Sequence, residues 1–98
     1  MSILHVVNKT PYERSSLATA TGMMKDSDTL LLIEDGVLGA IKAGTSASLL
    51  SGHKVSVLGP DLAARGISAD KLADNVDIVD YAGFVDLVEA NDKVQSWL

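Results

Sequence analysis

Thr29-Leu30-Leu31-Leu32-Ile33-Glu34-Asp35-Gly36 is the stretch that decides the fold. After Thr29 comes an apolar run with no polar side chain, stopped abruptly by an acidic turn. Leu and Ile on consecutive positions leave no face for water, so the run suits a strand covered on both sides, as in a parallel sheet between helices.

Similar runs recur to either side. Ile3–Val7 is short, branched and apolar, and Asn8-Lys9-Thr10-Pro11 breaks it. Lys54–Leu58 is stopped by Gly59-Pro60, and Val76–Val79 by Asp80. Between these four predicted strands the apolar period becomes helical. Leu17, Ala20, Thr21 and Met24 share one face, and short helical pieces are expected at 37–42 and 46–50. Pro60 just inside a helix start and Gly66 after its end frame a helix over 62–65, and Ser68 opens another predicted over 68–75. A final helix carries Tyr81, Phe84, Val85 and Val88 on its apolar side, and residues 93–98 form a tail ending in Trp97-Leu98. Strand and helix alternate, which implies right-handed crossovers and a small three-layer α/β/α domain over residues 1–98 with a mostly parallel four-stranded sheet. Two sheet edges then need covering or pairing.

Of the 98 residues 47% are hydrophobic, a generous supply for a body that buries only about 60–65% of its unfolded surface. That surplus points to a neighbour covering part of the exterior. The formal net charge is −5, with thirteen acids against eight scattered Lys and Arg, so direct nucleic-acid binding is not expected. No apolar run approaches the roughly 20 residues of a membrane span, and the first residues lack a basic leader and a small-residue cleavage site. A soluble cytoplasmic protein is expected. There is no cysteine, which removes thiol nucleophiles and Cys-ligated zinc together.

In open α/β sheets ligands sit beyond the carboxyl ends of the strands. The segments there are Asn8–Pro11, Glu34-Asp35-Gly36, Gly59-Pro60-Asp61 and Asp80-Tyr81. A divalent-metal or acid–base site using Glu34, Asp35 and Asp61 is one reading, that of a small stand-alone enzyme. In the other, Asp35 and Asp80 simply cap the helices that follow. No phosphate-loop or nucleophile-elbow pattern occurs, and His5 and His53 make no metal signature. His5, inside a strand, is expected to be a neutral, hydrogen-bonded core residue. Trp97 is either folded back on the core or buried in a partner. No cofactor and no metal are called for.

Several segments, taken in order, resemble the TusB/DsrH family of sulfur-relay subunits. They are Ile3-Leu4-His5 with Lys9-Thr10-Pro11; Leu30 to Val37; Val57-Leu58 through Asp61-Leu62, Ala64, Arg65 and Gly66; Asp80-Tyr81 with Phe84-Val85; and Val94-Gln95-Ser96-Trp97. The resemblance implies a DsrEFH-like fold and a cytoplasmic heterohexamer of two copies each of three related chains. The two partners would be TusC/TusD-like or DsrF/DsrE-like, handing on persulfide sulfur either to the wobble uridine of certain tRNAs or to the oxidation of stored sulfur. It also implies that the main sulfur-carrying cysteine belongs to another subunit. Members of the DsrH branch carry a cysteine in the first helix, and the matching position here is Ala20. A methyl group carries no sulfur, so either this is a non-catalytic, structural member, as the resemblance to the TusB branch implies, or a DsrH-type cysteine was lost naturally or removed by mutation. Glu34, Asp35, Tyr81, Trp97 and Leu98 are its candidate interface residues.

Overall fold

The computed structural model describes residues 1–97. Five strands form one sheet in the order β4-β3-β2-β1-β5, every neighbouring pair parallel. They are β1 (Ile3–Val7), β2 (Thr29–Leu32), β3 (Lys54–Leu58), β4 (Val76–Val79) and β5 (Lys93–Trp97). Three α-helices join them, α1 (Ser16–Met23), α2 (Gly59–Ala64) and α3 (Tyr81–Ala90), with 3₁₀ segments at Glu34–Ala40, Thr45–Leu50 and Ala69–Lys71. The four expected strands are all present, and a fifth joins them. The supposed tail is β5, running beside β1 with Val94 opposite Leu4 and Trp97 opposite Val7. Its residues form no continuous apolar run because an edge strand is covered on few sides: Lys93 to Ser96 are all exposed.

Chain direction and crossover handedness explain the layers. From β1 through β4 the chain steps steadily toward one edge of the sheet, so right-handed connections place α1, the 3₁₀ segments and α2 on one face. Going from β4 to β5 it returns across the whole sheet in the other direction, and the same handedness puts α3 on the opposite face. The core divides accordingly. The larger cluster joins Val7, Leu30, Leu32, Val55 and Val57 of the sheet to Leu17, Ala20, Leu50 and Leu62 above it. The smaller has Leu4, Val6 and Leu31 beneath Phe84 and Leu87 of α3.

Two helical expectations take other forms. The chain after β2 is tightened into 3₁₀ turns, and Gly36 there passes against the end of β1, where an added Cβ would run into the Val7 carbonyl oxygen. The helix expected over 68–75 is a single turn at Ala69–Lys71. Beyond it Leu72 drops into the core and forms an antiparallel bridge with Ile41, while Ala73 N–H donates to the Ala40 carbonyl at 2.8 Å. That backbone pairing takes the donors a longer helix would have used.

Candidate functional site

The carboxyl ends of β2 and β3 meet at a polar corner. Glu34 leaves β2 with φ +50°, a left-handed conformation that costs a non-glycine residue on the order of 1–2 kcal/mol. Its N–H donates to Asp61 Oδ2 at 2.7 Å, and a carboxylate acceptor makes that a strong hydrogen bond. Arg65, one turn further along, donates from Nε and Nη2 to Asp35 Oδ1 at 3.1 and 2.9 Å and from Nη1 to the Asp61 carbonyl at 3.1 Å. The corner is therefore tied together from within. Asp35 does not cap the following 3₁₀ helix: Ile33 holds the cap position without a side-chain bond, and the Asp35 carboxylate is turned to Arg65. Asp80 does cap, its Oδ1 accepting from Gly83 N–H at 2.8 Å at the start of α3.

For a metal this corner is poorly suited, since both aspartates already face a guanidinium. Among the described residues no three acidic, His or Cys side chains are grouped to hold a cation.

On the other side of β1 lies a site that sequence reasoning found only in part. His5 is buried, as expected, with Nε2 2.9 Å from Asp28 Oδ2 and Nδ1 3.0 Å from the indole nitrogen of Trp97. The His5 and Trp97 rings lie within 21° of parallel, with centroids 6.0 Å apart. Asp28, directly after the turn at residues 26–27, is also buried and accepts from the N–H groups of Ile3 and Lys25 at 3.0 and 3.1 Å. Burial pushes its carboxyl up, but the hydrogen bonds from His5, Lys25 and Ile3 outweigh this and hold it below the ordinary value. The parallel register that sets His5 beside Leu30 is what brings Asp28 within reach. This triad joins three strands: Trp97 ends β5, His5 is central to β1 and Asp28 immediately precedes β2.

The other candidates scatter. Ala20 is fully buried in the larger core cluster. Glu34 and Asp35 sit together at the corner, with Asp61 and Arg65 as partners. Tyr81 opens α3 directly after edge strand β4, while Trp97 lies on the opposite edge, four strand spacings or about 19 Å away. Trp97 folds back onto the chain's own core. Leu98 lies outside the described residues.

The profile of the family described as "DsrH like protein" matches residues 9–94 of this sequence. The chain belongs to the DsrH-like family. Among individual relatives, a protein named "Protein TusB" from Enterobacter sp. (strain 638) is 35% identical over 97 residues, covering 97% of this chain and all of that protein. "Protein TusB" from Pectobacterium parmentieri is 32% identical over the same coverage. Among solved structures the ychN protein from E. coli superposes with a TM-score of 0.81 over 98% of both chains at 22% identity. MTH1491 from Methanobacterium thermoautotrophicum does so with a TM-score of 0.72 at 16% identity, over 96% of this chain and 97% of that one. These two likenesses bear on the fold alone. Among the described residues of this DsrH-like chain, no helix is long and apolar enough to cross a membrane.

Proposed function

We propose that this chain is the thiol-free, structural subunit of a cytoplasmic sulfur-relay heterohexamer that feeds 2-thiolation of the tRNA wobble uridine. The observation that carries the reading is the lack of cysteine in a chain related end to end to proteins named TusB. Relay chemistry moves a sulfane sulfur between thiolates, each attacking the persulfide of the last. The sulfur atoms of this chain are the thioethers of three methionines, which have no S–H to ionise and cannot form a persulfide. Its contribution is therefore to hold homologous, cysteine-bearing subunits in place.

The metal-enzyme alternative loses its ligands, since Asp35 and Asp61 are engaged by Arg65 and by the Glu34 N–H.

Deleting the gene and measuring 2-thiouridine in total tRNA by mass spectrometry tests the reading, with complementation by the intact chain. Loss of 2-thiouridine, restored on complementation, is the expected result. A second reading, service in oxidation of stored sulfur, draws on the match to the DsrH-like profile. Undiminished 2-thiouridine in a deletion strain that no longer oxidises stored sulfur replaces the first reading with the second.

A further inference from the structure

No residue between Ala73 and Trp97 is buried, although β4, α3 and β5 all lie in this stretch. The helix shows why. Phe84 and Leu87 of α3 face the sheet over the small second cluster. Tyr81, Val85 and Val88, at spacing i, i+4 and i+7, form a second apolar stripe on another flank, and they are 63%, 54% and 38% exposed. A surface helix in a lone domain needs one apolar flank, and this one has two. Contiguous exposed apolar surface with a polar rim marks an interaction site.

Charge identifies what covers it. Residues 72–92 hold six acids (Asp74, Asp77, Asp80, Asp86, Glu89 and Asp92) and no Lys, Arg or His. They account for the whole negative charge, because the rest of the chain carries seven acids against eight Lys and Arg. A two-fold contact between copies sets a patch against itself, acid rim on acid rim, which disfavours self-pairing. We infer that the Tyr81–Val85–Val88 flank of α3 is the docking surface for a different chain, a sister subunit of the relay assembly whose contact face has an apolar centre ringed by Lys and Arg. This rests on the function proposed above.

The test uses the full chain co-expressed with the cysteine-bearing homologous relay chains of the same genome, followed by size exclusion at low and high salt. Val85→Arg is expected to abolish co-elution or weaken it by about 30-fold or more, as for loss of a central interface anchor. Its melting temperature as an isolated chain should match the wild type, since the site is exposed. The double variant Asp86→Lys, Glu89→Lys is expected to weaken co-elution by about tenfold, with wild-type binding falling as salt rises and the variant's falling less. If the wild type co-elutes and both variants bind as tightly, the docking surface is wrong while the proposed function stands. If the wild type itself fails to co-elute, that function fails and the docking surface with it. A homodimer of the chain alone that Val85→Arg dissociates also overturns the inference, because the face would then serve a second copy.

Discussion

The indole Nε1–H of Trp97 donates to Nδ1 of His5, 92 residues earlier in the chain. An indole nitrogen can only donate, so His5 Nδ1 must carry a lone pair and the ring proton must sit on Nε2, aimed at Asp28. The tautomer of a buried histidine is thus set by the last residue of an edge strand. Nitrogen chemical shifts of the His5 ring should show a single neutral Nε2–H form in the wild type. Trp97→Phe removes the donor, leaves Nδ1 without its partner and should cost about 1 kcal/mol. A wild-type ring protonated at Nδ1 would contradict the assignment.

Asp28 makes the same triad sensitive to acid. Its folded-state carboxyl is held below the ordinary carboxylate value by the donors that converge on it, so its contribution to stability is complete above that ordinary value and is lost as pH falls through the lower, folded-state one. Asp28→Asn keeps the size but puts an NH₂ group where three donors converge, and should cost on the order of 3 kcal/mol at pH 7. Urea melts of both proteins from pH 7 to pH 3 check the sign. The gap between them should narrow as pH falls, and a constant or widening gap would count against an ionised Asp28.

At the opposite end of β2, two neighbours should respond in opposite directions. Glu34 is exposed and strained at φ +50°, so Glu34→Gly should stabilise by about 0.5–1 kcal/mol, the relief of strain exceeding the added freedom of the unfolded chain. Gly36→Ala drives a methyl group into the Val7 carbonyl, a backbone atom of the interior strand β1 that cannot turn aside, and should cost more than about 2 kcal/mol. Thermal denaturation of the two variants gives the test. Destabilisation by Glu34→Gly would mean that the side chain contributes more than its conformation costs.

Most of the sheet was legible because two-sided burial leaves an unmistakable mark: Leu30, Leu31 and Leu32 can be nothing but interior. The missing strand was illegible for the same reason. Lys93 to Ser96 are exposed at an edge and carry no apolar signature, so their pairing with β1 is written in tertiary contacts alone. The candidate site divides in the same way. Asp80 capped α3 as its local pattern required, whereas Asp35 was drawn from its cap by Arg65, 30 residues away. Asp28 drew no notice in the sequence because nothing local distinguishes a solvated aspartate from one that parallel register slides beneath a histidine.

The position that resembles the family's first-helix cysteine gives the last prediction. Ala20 is fully buried on the inner face of α1, beside Leu17 and Thr21, and Thr21 Oγ1 donates to the Leu17 carbonyl at 3.0 Å. A thiol placed there would be surrounded by apolar atoms, which favours the neutral form and shields it from any sulfur donor. The variant Ala20→Cys should therefore fold, at a cost of about 1 kcal/mol for the extra volume. Its thiol should react with a disulfide reagent only as fast as the protein opens. Labelling should be slow in buffer and accelerate sharply through the denaturation transition. Labelling in native buffer at the rate of a free thiol would place position 20 at the surface and reopen a carrier role for this subunit once a cysteine is supplied.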